Sequence, residues 1–215
     1  MFAGHLSFLD RCIAELDTAV RVSCTQARTS AANPAGDAPP ADAELSTAER
    51  DLSARLMRVN HAGEIAAQAL YRGQALVAGN SSLGQELLSA ADEEHAHLAW
   101  CQTRVTELGS HVSYLTPLWY SGSFLIGVAA GLAGDRASLG FLAETEKQVT
   151  EHLDSHLQKL PESDRRSRMI LEKMREDEIK HGTNAMASGG EELPEPAISV
   201  MRFTSRIMTT LAYGI

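Results

Sequence analysis

Along most of the chain, apolar residues recur at three- and four-residue intervals, and almost no stretch alternates with period two. That pattern predicts an all-α fold. Leu6, Leu9, Ile13, Leu16 and Val20 keep the spacing and predict a short amphipathic N-terminal helix. Residues 25–44, rich in Ala, Pro and small polar groups, read as a mobile linker. They divide the chain into an N-terminal segment, 1–44, and a main helical domain, 45–215. Ser46 followed by Glu49 is a capping-box pattern that opens a long helix running to about Ala78, where Gly79-Asn80 stops it. Ser81 or Ser82 caps a second helix, which runs to about Leu108. A third covers about 137–160 and stops at Pro161. A fourth starts near Ser163 and ends at Gly182 or soon after. Gly189-Gly190 and the Pro194/Pro196 pair separate it from a last helix at about 197–213.

One stretch departs from this amphipathic pattern. From Val112 to Gly134 there is no Asp, Glu, Lys, Arg or His. The length suffices to cross a bilayer, but four glycines, three serines, Thr116 and Pro117 weaken that reading. A crossover helix, partly buried and partly dipped into a membrane interface, fits better. In the last helix Val200, Phe203, Ile207, Met208, Leu211 and Ile215 fall near one face, with Arg202 and Arg206 as its charges. That composition suits an interfacial amphipathic helix. Ordinary helix packing is the alternative for both segments.

The length of 215 residues suits one domain with a buried core. The formal charge of −9, from 28 acidic and 19 basic residues, argues against a general nucleic-acid binder. Cys12, Cys24 and Cys101 form no C-x-x-C pair, so neither a disulfide framework nor a thiolate zinc site is indicated. Asp10 and Glu15 interrupt the only apolar stretch near the start, which argues against a signal peptide there.

Two Glu-x-x-His sequences carry the chemistry: Glu94 with His97, and Glu178 with His181. Residues i and i+3 share a helix face, so each pair can hold one metal ion. Singly, such a motif is weak evidence. A lone carboxylate precedes each, Glu64 by 30 residues and Glu146 by 32. Gly79 lies 15 residues from both Glu64 and Glu94, and Glu162 lies 16 from both Glu146 and Glu178. In an antiparallel hairpin, residues equidistant from the turn become level, here about 23 Å from it. Two such hairpins packed together direct four carboxylates and two imidazoles into one interior. That ligand set is the one found in ferritin-like di-iron or di-manganese carboxylate bundles, and its O/N donors suit iron or manganese better than copper. Asp92 with His95 has the same spacing, but Glu94 with His97 gives the better hairpin symmetry. Asp92 and Asp177 are expected to hold histidine N–H groups from outside. Four acids in the interior with two divalent ions would bring the formal balance to −5, so the acidic surplus is partly the site itself.

Arg58-Val59-Asn60-His61-Ala62-Gly63-Glu64, with Ala66, Tyr71 and Gly73-Gln74, resembles the first-helix signature of the demethoxyubiquinone hydroxylase family. Glu94-x-x-His97, Pro117-Leu118-Trp119, Glu146-x-x-Val149-x-x-His152 and Asp177-Glu178-x-x-His181 follow in family order, covering about residues 50–215. The family usually has Tyr after the histidine at 152; here Leu153 stands there. Asn60, where many members have Asp, is a milder departure. The resemblance implies a ferritin-like bundle with two irons per chain, manganese being the other candidate. Glu64, Glu94 and His97 would hold one ion, and Glu146, Glu178 and His181 the other. It further implies O2 as oxidant and a demethoxyubiquinol-type polyprenyl quinol as substrate. Its expected place is peripheral, at the cytoplasmic face of the cell membrane, near other ubiquinone-biosynthesis proteins. An iron-handling protein of the ferritin or bacterioferritin type is the alternative.

Overall fold

The computed structural model describes residues 7–36 and 45–215. Leu6 and residues 37–44 of the expected linker lie outside them. Within the described residues there are seven helices and no strand: α1 (Phe8–Cys24), α2 (Thr47–Val77), α3 (Ser81–Glu107), α4 (Thr116–Leu132), α5 (Asp135–Lys159), α6 (Arg165–Ala187) and α7 (Glu195–Gly214). The chain is all-α, as its periodicity predicts. Helices α2 and α3 form one hairpin, α5 and α6 the other, and α4 crosses between them against α2.

The local signals account for most of the boundaries. The Ser46 hydroxyl accepts from the Glu49 N–H while the Glu49 carboxylate accepts from the Ser46 N–H, closing the capping box that starts α2. The cap of α3 is Asn80 rather than Ser81 or Ser82: its side-chain oxygen accepts from the Ser82 N–H at 2.9 Å. Asp164 caps α6, and its carboxylate also takes Arg104 Nη2 at 2.7 Å in a fully buried ion pair. α6 runs past Gly182 to Ala187, because its stop lies at Gly189, which has φ +104°.

The glycines of the uncharged stretch find their reason in α4. A Cβ on Gly127 would sit 2.1 Å from the Leu70 carbonyl oxygen, and one on Gly73 would sit 2.3 Å from that of Phe124. Only hydrogen fits at both places, so α2 and α4 pack backbone to backbone. α4 therefore buries its small-residue face on α2, while Leu118, Leu125, Ile126 and Leu132 stay exposed. No described helix is long and apolar enough to cross a membrane.

α1 lies on α2 and α4. Its Glu15 carboxylate takes Arg72 Nε at 2.7 Å in a largely buried pair, and Ala19 and Val22 pack near Tyr120. Leu9, Ile13, Leu16 and Val20 form its outer, exposed stripe. The segment after α1 is held down where it is described. The Ala27 N–H donates to Gln102 Oε1, and the Ala35 and Gly36 carbonyls accept from Arg166.

Candidate metal centre

Glu64 on α2, Glu94 and His97 on α3, Glu146 on α5, and Glu178 and His181 on α6 all meet in the middle of the two hairpins. One donor atom from each of Glu64, Glu94, His97 and Glu178 lies within 4.8 Å of the others, and the same holds for Glu94, Glu146, Glu178 and His181. Glu94 and Glu178 belong to both groups, which is the arrangement a pair of ions sharing carboxylates requires. The equal distances from the turns thus translate into level side chains. His95, the alternative to His97, points away and contacts the Arg28 carbonyl at 3.1 Å.

The four carboxylates are each no more than 2 % exposed. Glu64 Oε2, both oxygens of Glu94, Glu146 Oε2, Glu178 Oε1 and His97 Nδ1 accept or donate no hydrogen bond. His97 Nδ1 nonetheless lies 3.1 Å from Glu178, 3.3 Å from Glu94 and 3.5 Å from Glu64. These atoms are directed at a common space rather than at one another. Burying four acids without compensation would cost several kcal/mol each, so a donor set of this kind fits divalent cations. The electrostatics agree. Burial pushes the Glu64 and Glu146 carboxyls well above the usual range, aided by the neighbouring acids. Glu94 is pulled down instead, because contacts with His181 and His97 outweigh its burial. Burial works against charge on His181, but Glu178 and Glu94 push it up to about 12. His97 rises likewise, against its burial, through Asp177, Glu178, Glu64 and Glu94.

Each imidazole turns Nδ1 inward and Nε2 outward. His97 Nε2 meets Asp177 Oδ2 at 3.3 Å, and His181 Nε2 meets Glu93 Oε2 at 2.9 Å. The bracing is reciprocal. The residue before each motif's glutamate reaches across to the other motif's histidine. Asp177 fulfils its expected role. Asp92 does not; its neighbour Glu93 does. The tandem acids Glu93-Glu94 and Asp177-Glu178 were the available signal. Tyr71 is a second residue that spacing alone does not mark: it is fully buried, and its hydroxyl donates to Glu146 Oε1.

Two cavities reach the cluster. One, of about 790 Å³, runs between α2, α4, α5 and α7, with Glu64 in its wall among mainly apolar residues such as Leu70, Trp119, Ile126, Phe141 and Met208. Leu153 borders it too and is 1 % exposed in the core. The other, of about 770 Å³, opens between α5 and α6, with Glu178 in its wall.

Comparison with known proteins now separates the alternatives. Residues 51–212 match the family described as "Ubiquinone biosynthesis protein COQ7". The chain is 54% identical over 210 residues to a protein of Polynucleobacter necessarius subsp. necessarius named 3-demethoxyubiquinol 3-hydroxylase, covering 98% of this chain and 100% of the relative. Proteins of the same name from Cupriavidus taiwanensis and Nitrosococcus oceani are each 53% identical, over 96% and 100% of this chain respectively and the whole of each relative. With its helical bundle, its buried Glu/His cluster and this full-length similarity, the chain belongs to the COQ7 family of ubiquinone-biosynthesis proteins.

Proposed function

We propose that this chain is a 3-demethoxyubiquinol 3-hydroxylase, which uses O2 to hydroxylate the ring of a demethoxyubiquinol-type polyprenyl quinol at a dinuclear iron centre. The observation that carries the reading is the contact between an apolar cavity and the carboxylate cluster at Glu64. Family membership selects hydroxylation over iron storage. Replacing a ring C–H by C–OH with O2 needs two electrons and two protons and releases one water; oxidation of the quinol to its quinone supplies both electrons and both protons. Iron supplies the O2 reactivity when bound. Glu64, Glu94 and His97 would hold one ion, and Glu146, Glu178 and His181 the other; manganese would suit the same donors.

The rest is the work of the chain. The cavity wall sheds water from the ring and tail of the quinol, and its volume lies within the range of small-molecule sites. Its few polar groups, among them Asn60, Thr145, Gln148 and His152, orient the ring oxygens. His152 Nε2 is buried there with no partner. Asp177 and Glu93 fix the two imidazoles, and Tyr71 fixes Glu146.

The tail would enter from a bilayer. Leu118 and Ile126 on α4, and Val200 and Ile207 on α7, are exposed and also border the cavity, so its mouth carries an apolar rim. Arg202 and Arg206 flank that rim on α7 and suit anionic headgroups. The reading includes peripheral attachment at the cytoplasmic face of the membrane, with α7 in the interface; the exposed apolar rim supports the attachment.

The test is turnover of a demethoxyubiquinol analogue by the Fe(II)-loaded protein under oxygen-18 gas. The expected product carries one labelled oxygen in its new hydroxyl. Absence of product, or label taken only from water, would contradict the reading. Washing of membranes with carbonate is expected to release the protein.

A further inference from the structure

The two cavities that meet at the cluster differ in chemistry: the first is walled mainly by apolar residues, the second largely by acids. We propose that the groove between α5 and α6 is the inlet through which divalent cations reach the centre, separate from the apolar channel that takes the quinol. The proposal rests on the dinuclear-centre reading above.

The walls of the groove are acidic. Glu144 and Glu151 come from α5, and Glu191, Glu192 and Glu195 from the segment leading into α7, against one lysine, Lys147. At its inner end stands Glu178, 1 % exposed, with an oxygen that accepts no hydrogen bond and membership of both donor groups. A hydrated cation drawn in by the outer acids therefore meets a buried, incompletely satisfied carboxylate common to both sites. The acidic segment is held in place rather than loosely draped. A Cβ on Gly140 would lie 1.9 Å from the Glu191 carbonyl oxygen, so only glycine lets that backbone rest on α5. The Glu191 N–H donates to the Arg136 carbonyl at 3.2 Å, and the Gly190 N–H to that of Ala185 at 3.1 Å. Part of the charge is already paired. Glu144 accepts from Gln148 and faces Lys147 at 3.6 Å, and Glu191 has Arg136 at 3.8 Å. Glu151, Glu192 and Glu195 remain exposed and set the field at the mouth. A cleft of one sign concentrates counter-ions and accelerates their arrival. The quinol channel offers the opposite: an apolar wall that a hydrated ion would have to cross at a desolvation cost.

The test is the rate of Co(II) uptake by the metal-free full-length protein, followed by cobalt absorbance after rapid mixing. A variant carrying Glu151→Gln, Glu191→Gln, Glu192→Gln and Glu195→Gln is compared with the wild type. At low salt the variant is expected to load about tenfold more slowly. The difference should shrink near 1 M salt, where the screening length falls to about 3 Å. Both proteins should end with two ions per chain. Lys147→Gln should load faster than the wild type. Equal rates at low salt would overturn the inlet, and so would fewer ions at the end point in the fourfold variant, since those acids would then be ligands. A wild type that binds no Co(II) at all would instead overturn the dinuclear-centre reading.

Discussion

The two halves of the centre use the same residue types but are not equally protected. In the α2/α3 half His97 is 2 % exposed, and its outer nitrogen rests on Asp177, which Lys173 and Lys180 hold at 2.6 and 3.2 Å. In the α5/α6 half His181 is partly exposed, and its outer partner Glu93 has a side chain 61 % exposed. The first histidine has an orienting group that is itself fixed. The second has one that water can replace. A duplicated donor set therefore need not give two equivalent sites: His97 is buried with a braced outer partner, and His181 is more exposed with an exposed one.

Removing a residue common to both halves should have the largest effect. Glu178→Ala is expected to abolish hydroxylation and to reduce bound iron from two to less than one per chain, read by elemental analysis against circular dichroism as a control for folding. Next comes Asp177→Asn. Loss of a carboxylate that orients a metal-bound histidine typically lowers metal affinity by about 10–100-fold, and here the weaker ion should be the one at His97.

The convergence of the six candidate donors was legible because it rests on one-dimensional regularities: i,i+3 spacing and equal distances from Gly79 and from Glu162. Helix pitch converts those directly into level side chains. The outer braces were less legible. Choosing Glu93 over Asp92 depends on how α3 faces α6, and no spacing within α3 encodes that. Likewise, the uncharged stretch announces a special environment but not its partner. Gly73 on α2 and Gly127 on α4 become meaningful only once the two backbones are in contact. The end of α6, expected at Gly182 or soon after, falls at Ala187: a helical glycine and a terminating one look alike in sequence, and of Gly182 and Gly189 it is Gly189 that adopts positive φ.

Another contact between the halves sharpens the comparison through pH. His156 on α5 donates from Nδ1 to Asn60 Oδ1 on α2 at 2.9 Å, and its ring lies 4.0 Å from that of His152. Burial pushes His156 down to about 3 and His152 to about 4. Both are neutral in the folded chain, while an unfolded histidine takes a proton near 6.5. The unfolded state thus binds more protons as pH falls from about 6.5 to about 4. Stability should drop there by up to about 1.4 kcal/mol per pH unit for each ring. Urea midpoints at several pH values check this, and His156→Gln should flatten the slope. The smallest effect is expected for Glu93→Gln: an exposed pair contributes about 0.2–1 kcal/mol, so iron affinity should change by no more than about fivefold. A loss as large as that of Asp177→Asn would erase the difference between the halves.

The most direct measurement is anomalous X-ray diffraction at the iron edge from Fe(II)-loaded crystals. Two iron peaks are expected inside the box formed by Glu64, Glu94, Glu146 and Glu178, with His97 beside one and His181 beside the other. A single peak, or iron bound only elsewhere on the chain, would contradict the account.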